Sequence, residues 1–280
     1  MKKVVIKAPA KVNLTLDVLG VENGYHKIKT LVSTIDLYDT ITIKKRKDSR
    51  INLIMKGVPV NCETTENNAY RAGKAFADKY KTLGVDIIVN KKIPVGAGLG
   101  GSSVDIAGVL NGMKRLYEKE EVLSLANELG SDSGYLLDGG YAVLTGRGDK
   151  VDKKDIKEKL YLLIITDDKS ITAKESYKLF DKQEKTYKPC TASAEKALKE
   201  NDFYRFCLIL KNDLTSASAS KVEEIKANLI ALKKAGASAQ IMTGSGTAVY
   251  GIFPSKGQRQ KAYKKLYPLY KKKLIKAQTV

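Results

Sequence analysis

The chain has 280 residues, 43% of them hydrophobic, which is enough apolar matter for a large core and about two subdomains and excludes a disordered chain. Fifty Lys and Arg against 31 Asp and Glu leave a formal charge of +19, a field that attracts polyanions. The basic residues are spread throughout and no recognised nucleic-acid motif accompanies them, so a solvated lysine-rich surface and a phosphorylated small molecule are expected, and nucleic acid is not.

Residues 1–7 are basic, and Lys7 interrupts their apolar stretch, so a secretory signal core is not expected and cytoplasmic residence is. A strand is expected over 4–7, ended by Pro9, and another over 12–18, where apolar and polar residues alternate. Asn23-Gly24 marks a tight turn. Strands follow at 30–37, 40–45 and 51–55. A helix is expected over 66–81, with Ala69, Ala72, Phe76 and Tyr80 on one face. A strand at 85–89 leads into a glycine-rich stretch, and residues from Val104 to Tyr117 recur at helical spacing. A helix over 121–129 stops at Gly130, and 131–134 reads as a short loop. After a strand at 141–145, the charged residues 151–159 lack periodicity, which places a subdomain junction there and divides the chain into 1–155 and 156–280. The second part reads as a strand at 160–166, helices at 173–180, 192–199, 202–210 and 222–235, strands at 239–242 and 248–253, a helix at 260–270 and a closing strand at 274–280. No apolar run approaches the ~18 residues that a membrane helix needs.

The chemistry centres on Pro94-Val95-Gly96-Ala97-Gly98-Leu99-Gly100-Gly101-Ser102-Ser103-Val104. Glycines opening a helix let an anion reach backbone N–H groups at the positive end of the helix dipole. A Walker A loop needs Lys after its last Gly, and Ser102 stands there. A dinucleotide site wants an acid about 20 residues on, closing a second strand, whereas Glu118 and Glu120 lie in a helical region. Phosphate binding by a different loop class is therefore expected. Cys62, Cys190 and Cys207 are widely spaced and His26 is the one histidine, so neither a disulfide framework nor a zinc site is expected. No G-x-S-x-G elbow supports a Ser–His–acid triad.

Three segments in order, Pro9-Ala10-Lys11-Val12-Asn13, Pro94 to Ser103 and Met242-Thr243-Gly244-Ser245-Gly246, resemble the GHMP kinase superfamily of galactokinase, homoserine, mevalonate and phosphomevalonate kinases. Gly24-Tyr25-His26 and Ile35-Asp36-Leu37-Tyr38-Asp39, with Asn67-Asn68-Ala69-Tyr70 and Asn212-Asp213-Leu214, look like the branch that phosphorylates 4-diphosphocytidyl-2-C-methyl-D-erythritol for isoprenoid synthesis. The resemblance implies an α+β, two-domain fold with the active site between an N-terminal ATP domain and a C-terminal domain. It implies ATP and Mg²⁺ as cofactors, with ATP on residues 94–104 and Ser102 or Ser103 near phosphate or metal. Lys11 and Asp132 match the catalytic pair. Asn13, Tyr25, His26 and Tyr177 match substrate contacts, with the aromatic rings stacking on cytosine, and Gly244, Ser245 and Gly246 would approach its phosphates. Four positions depart from the family pattern: Ser102, Val104, Gly134 and Thr247. Two alternatives stay open, a kinase for another small alcohol or phosphate and a nucleotide-binding relative with weakened catalysis.

Overall fold

The computed structural model describes residues 2–184 and 187–280, which form two compact units interleaved in sequence. One holds the stretch through Ala10 with Leu37–Val95 and Gly100–Gly139; the other holds Lys11–Asp36, Gly96–Leu99 and Gly140–Val280.

Strands β1 (Lys3–Asn13), β2 (Asp17–Glu22) and β3 (Tyr25–Lys45) open the chain, and β1 and β3 each carry residues of both units. The expected breaks at Pro9 and between 37 and 40 do not occur. Proline is tolerated because β1 is an edge strand, pairing with β3 alone among the described residues. Asp39 does not turn the chain because its carboxylate is buried against Lys91 rather than solvated. In the β2–β3 hairpin, Asn23 and Gly24 both take positive φ, +51° and +77°, as the Asn-Gly signal requires.

In the first unit, β4 (Asn52–Gly57) runs parallel to β5 (Val85–Lys91), which pairs antiparallel with the later half of β3 from Thr40↔Asn90 to Lys45↔Val85. Helix α1 (Asn68–Tyr80) starts at Asn67, whose Oδ1 accepts from Ala69 N at 2.9 Å. Helix α2 (Gly101–Tyr117) is buried on more than one face. It lies close to the sheet because Gly108 and Gly112 have no side chain: a Cβ there would meet Ile41 at 2.3 Å and Ile43 at 2.6 Å. Helix α3 (Leu123–Leu129) is followed by a one-turn helix, α4 (Ser133–Leu136), where a loop was expected. Four residues are too few for a periodicity to register.

In the second unit, β6 (Tyr141–Gly146) pairs with the early half of β3, and β7 (Lys150–Lys153) pairs with β6 inside the segment expected to be a featureless junction. Strand β8 (Tyr161–Ile165) and helices α5 (Ala173–Phe180), α6 (Thr191–Lys199) and α7 (Phe203–Ile209) come where expected. Helix α8 (Thr215–Lys221) was not expected. Its Thr-Ser-Ala-Ser-Ala-Ser run has no apolar period, but Ala217, Ser218 and Ala219 are buried and Ser218 Oγ donates to Ser245 O at 2.8 Å. After α9 (Glu224–Lys234) come β9 (Ala239–Met242), β10 (Val249–Phe253), α10 (Lys256–Tyr270) and β11 (Leu274–Gln278). The sheet order is β11-β8-β10-β9, antiparallel throughout. Leu163, Ile165, Val249 and Phe253 from the sheet pack with Leu232 and Leu266 from the helices, each worth about 1.5–3 kcal/mol when fully buried. Among the described residues no helix is long and apolar enough to cross a membrane.

Burial pushes the thiols of Cys190 and Cys207 up to about 12, whereas Cys62 is exposed. At about pH 8 a thiol reagent should therefore label Cys62 in the folded protein and reach the other two only in denaturant, because the thiolate is the reactive form. Equal labelling of all three under native conditions would contradict this packing.

Candidate functional site

Between β5 and α2 the backbone reverses hand repeatedly. Gly96, Gly98 and Gly100 take φ of +70°, +79° and +79°, a region that only glycine enters freely. A Cβ on Gly98 would lie 2.3 Å from Thr243 O. The carbonyls of the loop are occupied: Ala97 O accepts from Ala248 N at 3.2 Å, Gly98 O from Thr243 Oγ1 at 3.2 Å and Leu99 O from Lys11 N at 3.1 Å. The amides are not. Among the described residues, none of the N–H groups of residues 98–103 donates to a protein acceptor; Val104 N donates to Gly100 O at 2.8 Å. Orphaned N–H groups in series are rare unless water or a ligand meets them. Left-handed residues alternating along a loop fold such groups into an anion-binding nest at the helix start.

The second unit gathers Lys11, Asn13 and the 243–246 loop. Lys11 Nζ donates to Asn13 Oδ1 at 2.7 Å, and Asn13 Nδ2 donates to Thr30 Oγ1 at 2.8 Å. Asn13 N donates to Thr243 Oγ1 at 3.0 Å, so one threonine ties Asn13 to Gly98. Asn212 Nδ2 donates to Met242 O and Gly244 O, both at 2.8 Å, and so fixes the backbone of the loop. Lys11, Asn13, Thr30, Asn212 and Thr243 are all buried, which makes these bonds costly to lose.

On the β2–β3 hairpin the His26 ring stacks on Tyr177 of α5, with centroids 4.5 Å apart and planes at 21°, and His26 Nε2 lies 3.0 Å from Asp181 Oδ1. Tyr25 is 58% exposed, with the Arg147 guanidinium 4.6 Å from its ring centre.

In the first unit, Asp132 stands just before α4, and its side chain does not cap that helix. The turn packs against the start of α2 at Gly130, where a Cβ would lie 2.6 Å from Ser133 Oγ and 3.2 Å from Ser103 Oγ. Ser103 therefore faces the Asp132 turn, while Ser102 is exposed. Beneath the loop, Lys91 lies between Asp39 and Asp105; burial pushes the Asp105 carboxyl up to about 7 against the pull of the Lys91 ammonium.

Residues 67–146 match the GHMP kinases N terminal domain, and residues 194–272 match GHMP kinases C terminal. The chain is 35% identical over 275 residues to the 4-diphosphocytidyl-2-C-methyl-D-erythritol kinase of Clostridium tetani, covering 95% of this chain and 96% of that one. The chain belongs to the GHMP kinase family. The crystal structure of a 4-(cytidine 5'-diphospho)-2C-methyl-D-erythritol kinase superposes with a TM-score of 0.84 at 26% identity, covering 98% of both chains. Homoserine kinase from Cytophaga hutchinsonii shares the fold, with a TM-score of 0.74 at 16% identity over 100% of this chain and 95% of that one. The protein thus has the two-domain α+β fold of GHMP kinases and is an ATP-dependent small-molecule kinase.

Three of the four departures from the family pattern, Val104, Gly134 and Thr247, have local structural roles in this kinase. Val104 is fully buried, so its side chain makes an apolar contact within the core. Gly134 packs on α3, where a Cβ would lie 2.1 Å from Asn127 Oδ1. Thr247 Oγ1 donates to Lys169 O at 2.9 Å. Sequence reasoning misses Thr30, Lys91 and the anchoring work of Thr243 and Asn212. The last two sit inside quoted segments, but nothing in a sequence distinguishes a bonded buried threonine or asparagine from a solvated one.

Gly98→Ala should lower the melting temperature by several degrees, since a left-handed φ costs about 1–2 kcal/mol and the clash with Thr243 O adds to it. Gly101→Ala meets nothing closer than 3.5 Å and should melt like the wild type. Equal melting of the two variants would overturn the loop geometry.

Proposed function

We propose that this kinase transfers the γ-phosphoryl group of ATP to a hydroxyl of 4-diphosphocytidyl-2-C-methyl-D-erythritol, a step in isoprenoid precursor synthesis by the non-mevalonate route. The observation that carries the ATP half is the run of N–H groups over 98–103 that meet no protein acceptor among the described residues. The likeness to the Clostridium tetani kinase supports the acceptor half, and so do the aromatic groups Tyr25, His26 and Tyr177, which offer stacking faces for a pyrimidine. In this reading residues 1–155 form the ATP-binding part and 156–280 the C-terminal part, and the reaction takes place in the cytoplasm.

The loop 94–104 holds ATP, its amides meeting the phosphates and Val104 closing the run. Asp132 accepts the proton of the acceptor hydroxyl as its oxygen bonds to the γ-phosphorus and the bond to the ADP oxygen breaks. Lys11 stabilises the charge that develops on the transferring group. Asn13 orients the ammonium of Lys11 through the bond at 2.7 Å and lies near the reacting hydroxyl. Tyr25, His26 and Tyr177 bind the cytidine, and Gly244, Ser245 and Gly246 meet the substrate's diphosphate. A hydroxyl is a hard oxygen donor of the kind Mg²⁺ accepts, and no three His, Cys, Asp or Glu among the described residues cluster as a protein-only metal cage. Ser102 or Ser103 would hold Mg²⁺, which would supply charge neutralisation there.

Purified protein with Mg-ATP should release ADP when given the cytidyl-diphospho-methylerythritol, and much more slowly with other alcohols. ATP binding without ADP release from any acceptor would overturn the catalytic reading, and faster turnover of another alcohol would overturn the substrate. Asp132→Asn should keep ATP affinity while turnover falls by about two or more decades, in line with the loss of a general base. Lys11→Ala should likewise slow turnover more than it lowers stability. Wild-type rates in either variant would remove that residue from the mechanism.

A further inference from the structure

The glycine-rich loop is chemically free to collapse. Its left-handed glycines restrain the backbone little, and amides without acceptors repel one another when they converge. A buried ionic cluster in the first unit lies at both of its ends. Lys91, the last residue of β5, uses the three donors of its ammonium on Asp39 Oδ2 at 2.6 Å, Asp105 Oδ2 at 2.8 Å and Gly101 O at 3.2 Å. Asp39, on β3, turns its other oxygen to Lys92 N at 2.6 Å and Ile93 N at 2.9 Å. The chain is therefore gripped at 92–93, before the loop, and at Gly101, the first residue of α2.

Such a cluster is a poor device for stability. Burying three charges costs more than well-packed apolar groups of the same volume would, and Asp105 Oδ1 is buried without a hydrogen-bond partner among the described residues. What a lysine and a carboxylate provide, and Met or Leu would not, is directed hydrogen bonds to backbone at two fixed points. Those points set where the loop begins and which way the start of α2 faces.

We infer that Lys91 and Asp39 are positioning residues for ATP: they staple the two ends of the glycine-rich loop so that its N–H groups stay converged before the phosphates arrive. The inference rests on the reading of this loop as the ATP cradle. Neither residue touches the nucleotide; both act through backbone, as preorganisation of a binding loop.

Lys91→Met alone leaves two buried carboxylates facing each other and is expected to lower the melting temperature sharply. The deciding variant combines it with Asp39→Leu and Asp105→Asn, which removes all three charges and the oxygen that holds Lys92 N and Ile93 N. This triple variant should fold and melt near the wild type. Its affinity for ATP, measured by calorimetry, should fall by about tenfold or more, the scale on which lost preorganisation is read. Amide hydrogen exchange at Lys92 and Ile93, whose N–H groups Asp39 holds, should quicken by a similar factor in the ATP-free protein, while exchange in β8 and β10 stays unchanged. Wild-type ATP affinity in the folded triple variant would overturn the inference, whether or not exchange quickens. If the wild-type protein itself fails to bind ATP, the cradle reading falls, and unchanged exchange at Lys92 and Ile93 in the triple variant would then overturn the staple as well.

Discussion

Backbone amides with no protein acceptor are the constraint on which the functional architecture depends. Among the described residues, Ala97 to Gly100 spend their carbonyls on protein, and the N–H groups from Gly98 to Ser103 are kept back. A folded protein bears that imbalance only where something outside the chain completes it. The left-handed glycines make the imbalance geometrically feasible, because each reverses the direction of its amide without the clash a Cβ would cause.

Each compact unit holds its own stretch of this chain segment. Gly96–Leu99 belongs with the second unit, where Thr243, Lys11 and Ala248 take its carbonyls. Gly100 onward belongs with the first, where Lys91, Asp39 and Asp105 lie under the start of α2. The same economy recurs around the residues expected to act on substrate. Asn13 orients Lys11, Thr243 and Thr30 orient Asn13, and Asn212 holds the 243–246 backbone. Short polar side chains, each bonded to backbone or to one another, set the geometry of the reactive groups.

Much of this was legible in the sequence where local pattern and chemistry agree. Apolar period set the helices at 68–80 and 101–117, the Asn23-Gly24 turn fixed the hairpin, and the missing lysine after Gly101 excluded a Walker A loop. Pattern misled where burial overrides propensity. Asp39 reads as a strand-ending polar residue, yet Lys91 from a distant strand neutralises it and β3 runs on. Residues 215–221 carry no apolar period, yet their small side chains fit a crowded interior as a helix. Val104, Gly134 and Thr247 look like lost function when set against the family pattern alone. Their packing ties each to a local partner or to the core, which no single sequence reveals.

The central claim is that the amides of residues 98–103 are the phosphate cradle of this kinase, and nuclear magnetic resonance of ¹⁵N-labelled protein titrated with a non-hydrolysable ATP analogue tests it most directly. The account predicts that amide resonances from Gly98 to Ser103 move downfield as the analogue saturates, with those of β8–β11 nearly still. Saturable binding of the analogue that leaves the 98–103 amides unmoved, and shifts another set instead, would contradict it.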